Sequence, residues 1–292
     1  MAVVPPNLPP GKAIELDGRS RTWVYDSGPV PGRERSTILL LHGWTSTAAL
    51  NWHLCFPALA QEYRVVALDH RGHGRGIRSR TPFRLEDCAD DAAALIEALG
   101  VGPVIAVGYS MGGPVAQLLW RRHPDMVDGI VLCATASRFS VRQETSVSLG
   151  TLGLGASMAL SLLPEVVRRQ GMSLASRNWA ANRVIPPWAI VEWERNDPGA
   201  LIQAGLALRR FDSTGWIDTI DVPASVVVTA LDSIVSPVRQ WDLARAIPGA
   251  VAYPVQGDHR ACVEQARQFV PALLAACRAA GAAPAMAGES SA

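Results

Sequence analysis

The sequence lacks any block of like charges. Its 27 Lys and Arg residues nearly balance 26 Asp and Glu residues, which leaves a formal net charge of +1, and Lys12 is its one lysine. Surfaces that bind nucleic acid need basic residues gathered into a stripe or patch, whereas the arginines here are scattered along the chain. We therefore expect no nucleic-acid partner.

Paired cysteine motifs are also missing. The number of cysteines is odd, and they form neither a C-x-x-C pair nor a Cys/His cluster of the kind that holds zinc. They are Cys55, Cys88, Cys133, Cys262 and Cys277. This spacing predicts a reduced, intracellular protein without a structural zinc site, and we expect no metal and no cofactor.

The first residues lack the features of a secretory signal. Residues 1–11 contain four prolines and have neither a basic n-region nor an apolar h-region. We expect a cytoplasmic location and a flexible N-terminal arm over residues 1–11. The Ala/Gly/Ser-rich residues 281–292 predict a disordered tail.

Short apolar runs alternate with helix-like segments along most of the 292 residues, a length that fits one large domain or a core with an insertion. A hairpin is predicted over residues 13–16 and 22–25. Further strands are predicted over 37–41, 65–68, 104–107, 130–134, 224–230 and 251–255, with helices near 50–62, 85–99, 114–123, 238–247 and 262–277. The alternation predicts an α/β fold with a mostly parallel, doubly wound sheet. Its core would comprise residues 12–135 and 198–280.

The alternation breaks over residues 136–197, which carry no clear strand and are interpreted as an inserted helical cap or lid. An uncharged stretch at 145–164 is long enough to suggest a membrane span. Three glycines and six Ser/Thr residues weaken that reading, and a single span in mid-chain would split the sheet. We favour a lid helix over a span and leave contact with a lipid surface open.

The G-Y-S-M-G-G run at residues 108–113 stands between a predicted strand and a predicted helix. This is the context of a G-x-S-x-G nucleophile elbow, in which the serine is raised on a sharp turn. Such a turn drives Ser110 toward a positive φ and needs neighbours without bulky side chains, which Gly108 and Gly112 provide. Ser110 is the candidate nucleophile.

A serine nucleophile needs a base, and the base needs a group that fixes its tautomer. His259 follows the last predicted strand, so it should emerge at the same carboxyl edge of the sheet as Ser110. The settings of the other histidines suggest loop shaping, helix capping or no distinctive role; they are His42, His53, His70, His73 and His123. His259 is the candidate base.

Asp232 follows the preceding predicted strand and should reach the same edge. Asp258 stands too near His259 in sequence to orient it easily, and residues 135–141 contain no carboxylate. Asp232 is therefore the candidate acid, and the chain order of nucleophile, acid and base is the one expected for this architecture. For the oxyanion of acyl transfer, the candidate donors are the backbone N–H groups of Met111 and Trp44.

These motifs resemble the α/β-hydrolase superfamily: L-H-G-W at 41–44, D-H-R-G-H-G at 69–74, the run at 108–113, Asp232 and His259. The resemblance extends from about residue 12 to residue 280. It implies a serine hydrolase with an acyl-enzyme intermediate, similar to lidded carboxylesterases and lipases, and the second motif is similar to that of monoacylglycerol lipases. Haloalkane dehalogenases and epoxide hydrolases differ because their nucleophile is an aspartate.

The apolar cap favours a hydrophobic acyl group or an aromatic ester as substrate, and the alternative is that its apolar residues only pack the cap onto the core. Its large apolar residues include Trp179, Trp188, Trp193, Leu160, Leu162 and Leu163. The same triad also serves carbon–carbon bond hydrolysis, for which Arg177 or Arg183 could hold a substrate carboxylate, and perhydrolysis or cofactor-free oxygenation. A ligand receptor on this fold is a further alternative. The oligomeric state is left open.

Overall fold

The computed structural model describes residues 5–31, 37–139, 163, 165–180 and 185–281. Within them, eight strands form one sheet in the spatial order β1-β2-β4-β3-β5-β6-β7-β8. The strands are β1 Lys12–Leu16, β2 Ser20–Asp26, β3 Thr37–Leu41, β4 Arg64–Leu68, β5 Val104–Tyr109, β6 Val127–Cys133, β7 Ala224–Thr229 and β8 Val251–Val255. The β1–β2 and β2–β4 pairs are antiparallel, and the other pairs are parallel. The predicted α/β class with a mostly parallel sheet is confirmed.

Helices connect the parallel strands. They are α1 Ala48–Trp52, α2 Phe56–Leu59, α3 Leu85–Leu99, α4 Gly112–Arg122, α5 Glu165–Ala180, α6 Pro187–Glu194, α7 Pro198–Arg210, α8 Pro237–Ala246, α9 Ala261–Glu264 and α10 Ala266–Ala280. Two short 3-10 helices, Pro124–Met126 and Ile217–Thr219, precede β6 and β7. The helix α3 has the predicted bounds, and Gly100 ends it with a left-handed φ of 60°.

The two faces of the sheet are covered by different helices, as a doubly wound sheet requires. Along β3, Leu39 and Leu41 belong to an apolar cluster with residues of α3, α4 and α8. Ile38 and Leu40 belong to a second cluster with residues of α1, α2 and α10. Because successive side chains of a strand point to opposite faces, a strand covered on both sides must be apolar throughout. All five residues of β3 are buried for this reason.

Two predicted helices are wrong in their extent. The helix predicted near 262–277 forms α9 and α10, because the backbone of Gln265 between them leaves the helical conformation, with φ −118° and ψ 34°. The segment 50–62 forms two short helices, α1 and α2, instead of one. Pro57 lies in the first turn of α2. Proline has no backbone N–H to continue the hydrogen-bond ladder of a preceding helix, but it is tolerated in the first turn of a new helix. A new helix therefore starts at Phe56 where the apolar spacing alone predicted continuation.

The region predicted as a cap, residues 136–197, is described only in part. It contains α5 and α6, while the uncharged stretch 145–164 lies outside the described residues except for Leu163. Residues 1–4 and 282–292, from the predicted arm and tail, also lie outside them. Among the residues that the structure describes, no helix is long and apolar enough to cross a membrane. The bounds of the cap stay a prediction.

A buried ion pair fastens the antiparallel edge of the sheet. Asp26, at the end of β2, accepts hydrogen bonds from Arg64 Nε at 3.1 Å, from Arg64 Nη2 at 2.9 Å and from the backbone N–H of Gly28 at 2.9 Å. Lys12 Nζ lies 3.2 Å from the same carboxylate. Burial alone would raise the pKa of Asp26, but these partners, Arg64 first, lower it from 3.8 to about 2. The carboxylate is therefore ionised over most of the acid range.

Replacing Asp26 by asparagine is expected to lower stability at neutral pH by about 2 kcal/mol, because the folded pKa lies well below the unfolded one. The contribution of Asp26 is present above pH 4 and is lost as the pH falls toward 2. Urea unfolding at several pH values measures the free energy of unfolding of wild type and of Asp26→Asn. The difference between the two should become smaller as the pH falls from 4 toward 2. The control is Asp17→Asn, which changes an exposed carboxylate in the hairpin turn. A stability difference between wild type and Asp26→Asn that does not change with pH would contradict the lowered pKa of Asp26.

Candidate active site

Ser110 stands on the sharp turn between β5 and α4. Its φ is +51°, in the left-handed region that the elbow motif predicted. Its backbone N–H donates to Cys133 O at 2.9 Å, and its carbonyl accepts from Thr135 Oγ1 at 2.8 Å. A β-carbon at Gly108 would strike the carbonyl of Gly112 on the facing turn. The turn is closed so tightly that a side chain cannot be added there.

Gly112 is equally constrained from the other side. A β-carbon at Gly112 would strike the carbonyl oxygen of Leu41 at the end of β3. The two motif glycines thus allow the elbow to approach both its own helix and the neighbouring strand. The assignment of Gly108 and Gly112 as the elbow glycines of a nucleophile stays a proposal.

The three candidate triad residues meet at the carboxyl edge of the sheet. His259, in the loop after β8, lies with Nε2 3.0 Å from Ser110 Oγ. Its Nδ1 lies 2.7 Å from Asp232 Oδ2, in the loop after β7. Because an ionised carboxylate only accepts, Nδ1 carries the proton, and Nε2 is then free to accept from the serine hydroxyl. The chain Ser110–His259–Asp232 has the geometry of a nucleophile, a base and its orienting acid.

The carboxylate of Asp232 is held from both oxygens. Oδ1 accepts from the backbone N–H groups of Ile234 at 2.8 Å and Val235 at 2.9 Å. Oδ2 accepts from Thr229 Oγ1 at 2.8 Å and from Gln240 Nε2 at 3.2 Å, besides His259. Burial alone would raise the pKa of Asp232, but the hydrogen bonds and charge of its partners, His259 first, hold it below the usual value. The Asp232 carboxylate is therefore charged and fixed in orientation at neutral pH.

Sequence reasoning missed Thr229 and Gln240. Gln240 is fully buried on the inner face of α8, where Leu243 and Ala244 are also buried. A polar residue on the apolar face of an amphipathic helix is the signal that could have found it, because such a group needs a buried partner. Gln240 Oε1 also accepts from the backbone N–H of Thr229 at 2.9 Å, so the amide is satisfied on both sides.

Tyr109, the second residue of the elbow motif, holds the loop that carries His259. Tyr109 Oη donates to the carbonyl of His259 at 2.9 Å, across 150 residues of sequence. The ring of Tyr109 packs edge to face on Trp52 and Phe269, which are fully buried. The loop that carries His259 is therefore attached to the end of β5, which leads into Ser110.

The two predicted oxyanion donors flank Ser110. Met111 follows it directly at the start of α4. On the other side, a β-carbon built on Gly43 would lie 3.3 Å from Ser110 Cβ, which brings the backbone before Trp44 next to the nucleophile. Gly43 N–H donates to Asn51 Oδ1 at 2.9 Å, so this loop is fixed from the α1 side as well. The assignment of the Met111 and Trp44 N–H groups as oxyanion donors stays a proposal.

His42 shapes the same loop and takes no part in the triad. Burial lowers the pKa of His42 well below its usual value, so the ring is neutral. Its Nε2 accepts from the backbone N–H of His70 at 2.9 Å, and its Nδ1 therefore donates to Gly43 O at 2.8 Å. The Nδ1 bond fixes the loop after β3, and the Nε2 bond joins this loop to the one after β4.

The D-H-R-G-H-G run at residues 69–74 connects the loop after β4 to α1 and α3. Asp69 is buried and accepts from the backbone N–H groups of Ala48 at 2.9 Å and Arg75 at 2.8 Å. Burial raises its pKa to about 6. Arg71 Nε donates to Asp91 Oδ2 at 2.7 Å, which ties the loop to α3.

The same loop is bound to α6 and to the residues that follow this helix. Arg75 Nη2 lies 2.9 Å from Glu192 Oε1, a buried carboxylate on α6. Gly74 N–H donates to Asn196 Oδ1 at 2.9 Å. The proposed binders of a substrate carboxylate are different residues, Arg177 and Arg183; their side chains lie outside the described residues, so that alternative stays a prediction.

Comparison with known proteins agrees with the architecture. Residues 36–151 match the family described as alpha/beta hydrolase fold. The chain is 29% identical over 219 residues to a pimeloyl-acyl-carrier-protein methyl ester esterase of Neisseria meningitidis, covering 73% of this chain and 82% of that protein.

Solved structures share the whole fold at low identity. An esterase from Exiguobacterium antarcticum superposes with a TM-score of 0.74 at 18% identity, covering 92% of this chain and all of that one. The enol-lactonase from Burkholderia xenovorans gives a TM-score of 0.69 at 21% identity, covering 90% and 98%. The order of the sheet and the comparisons agree that the chain has the α/β-hydrolase fold.

Proposed function

We propose that the protein is a serine hydrolase that cleaves carboxylic esters through an acyl-enzyme intermediate. The observation that carries the proposal is the continuous hydrogen-bond chain from Ser110 Oγ to His259, 3.0 Å, and from His259 to the buried Asp232, 2.7 Å. A hydroxyl so placed has a base to take its proton and an anion to stabilise the resulting imidazolium.

The reaction follows from the positions of these groups. Ser110 Oγ attacks the ester carbonyl while His259 Nε2 takes the hydroxyl proton, and the carbonyl oxygen gains a negative charge between the N–H groups of Met111 and Trp44. His259 then gives the proton to the leaving alcohol. Water, activated by the same imidazole, attacks the acyl enzyme, and release of the acid restores Ser110.

Apolar side chains near the site favour a hydrophobic substrate. Trp44, directly beside the elbow, is 43% exposed although it is large and apolar. Leu231 and Ile234 flank Asp232 and are 65% and 72% exposed. Exposed apolar groups around a polar centre are typical of small-molecule sites that bind apolar ligands. We therefore propose an ester with a hydrophobic acyl group or an aromatic alcohol, in line with the esterases among the relatives.

A fluorophosphonate probe tests the proposal directly. We expect one covalent adduct per chain, located by peptide mass spectrometry at Ser110, because the probe reacts with an activated serine as the ester does. A series of p-nitrophenyl esters should then show kcat/KM rising from acetate to longer acyl chains. Labelling at another residue would contradict the nucleophile. No gain beyond acetate would remove the hydrophobic substrate, and labelling without steady turnover would favour a receptor.

A further inference from the structure

The loop that carries the second proposed oxyanion donor is tied to α7 through its side chain. Trp44 Nε1 donates to the carbonyl of Leu201 at 2.8 Å, across 157 residues of sequence. Next to it, Asn196 Nδ2 lies 3.5 Å from Thr45 O. Two consecutive residues of the loop are therefore held by the segment that begins α7, which does not belong to the predicted triad.

A glycine in the middle of α7 makes room for the indole. A β-carbon at Gly205 would lie 2.7 Å from Trp44 Cζ2, well inside van der Waals contact. Gly205 is four residues after Leu201, on the same side of the helix, so its missing side chain opens the path of the indole to that carbonyl. Glycine inside a helix is unfavourable relative to alanine. Its presence here is explained by the indole that lies over it.

The residue after Trp44 is strained, which explains why an anchor is needed. Thr45 has a φ of +58°, and a positive φ in a β-branched residue is a backbone outlier. Such a conformation persists only where surrounding contacts hold it. The indole hydrogen bond of Trp44, just before Thr45, and the contact of Asn196 Nδ2 with Thr45 O at 3.5 Å supply those contacts.

We propose that the indole of Trp44 is a positioning group for the oxyanion hole: by bonding to Leu201 O over Gly205, it sets the direction of the Trp44 backbone N–H. This inference rests on the proposed function. An oxyanion donor acts on the transition state and not on bound substrate, so a misdirected N–H lowers kcat and leaves KM nearly unchanged. Both acylation and deacylation pass through an oxyanion, so both steps slow together.

Trp44→Phe tests the proposal because it removes the indole N–H and keeps an aromatic ring. We expect kcat for p-nitrophenyl esters to fall about tenfold with KM within about twofold, a part of the loss seen when a whole donor is removed. The rate of inactivation by the fluorophosphonate should fall by the same factor as kcat/KM, and labelling at Ser110 should still reach completion.

Trp120→Phe is the matched control. Trp120 is nearly buried, whereas Trp44 is 43% exposed, and Trp120 Nε1 donates to Asp221 Oδ1 at 3.0 Å, at the far end of α4. The same substitution there removes an equivalent hydrogen bond away from Ser110, so kcat should stay within about twofold of wild type while thermal stability falls. An equal loss of kcat in the two variants would overturn the positioning role.

Gly205→Ala provides the second, independent variant. Alanine favours the helix itself, yet its β-carbon pushes the indole from Leu201 O, so kcat should fall as in Trp44→Phe without a comparable loss of melting temperature. The double variant should be no slower than the slower single one, because both changes break one contact. The inference would be overturned if the losses in kcat of the two single variants multiplied in the double variant. It would also be overturned if Trp44→Phe left kcat unchanged. Absence of Ser110 labelling in the wild type would instead overturn the proposed function.

Discussion

Replacing Ser110 by alanine is expected to reduce kcat for a p-nitrophenyl ester by roughly a millionfold, the loss found when the nucleophile of a serine triad is removed. The acyl enzyme cannot form without Oγ, and what remains is the electrostatic effect of the oxyanion hole and of binding. The fold should persist, because alanine is compatible with the space around Ser110 and the backbone bonds to Cys133 and Thr135 do not involve the side chain.

Activity assays on wild type and Ser110→Ala, both purified under identical conditions, measure this loss. Thermal unfolding followed by circular dichroism checks the fold. Ser233→Ala, an exposed serine on the Asp232 loop, is the matched control and should keep wild-type turnover. Ser110→Ala combined with His259→Ala should be no slower than Ser110→Ala alone, since the two residues act as a unit. Turnover by clean Ser110→Ala above one part in about a thousand would reject the serine mechanism.

The layout of the sheet could be predicted because it depends on local signals. The strands β3 and β8 and the helix α3 have the predicted bounds. Each is a short apolar run or a 3.6-residue repeat bounded by turn residues, so its limits are encoded in its own segment. The break between α1 and α2 was also local, but the apolar spacing outweighed the signal from Pro57 in the prediction.

The meeting of Ser110, Asp232 and His259 was predictable for a topological reason. All parallel strands end at one edge of the sheet, so polar residues that follow β5, β7 and β8 gather there without any knowledge of contacts. The distances and hydrogen-bond directions among these three residues could not be predicted from the sequence. They depend on how loops pack, and no strand pattern encodes them.

The groups that hold the triad and the oxyanion loop were not predictable. The contacts Tyr109 to His259, Trp44 to Leu201 and Arg75 to Glu192 each join residues more than 100 positions apart. No sequence pattern links the two residues of any of these pairs, and only the packed tertiary structure brings them together. Gln240 was the exception, because its burial on an apolar helix face is readable from the sequence.

Changing Asp232 to asparagine is expected to lower kcat by about 10⁴ with the fold intact. An amide presents either a donor or an acceptor to His259 Nδ1. With Oδ1 occupied by the N–H groups of Ile234 and Val235, the NH2 group takes the place of Oδ2. The imidazole of His259 then takes the tautomer that carries its proton on Nε2. This nitrogen cannot accept the proton of the Ser110 hydroxyl. The loss corresponds to about 5 kcal/mol of transition-state stabilisation.

The matched control is Asp258→Asn, one residue before His259. Asp258 pairs with Arg260 at 3.6 Å, and its side chain is more than one-third exposed. If Asp232 is the orienting acid, Asp258→Asn keeps kcat within about twofold, because a surface pair contributes little. Steady-state kinetics of both variants on one ester decides between the two carboxylates. A larger loss in Asp258→Asn than in Asp232→Asn would transfer the role to Asp258, against the 2.7 Å bond between Asp232 and His259.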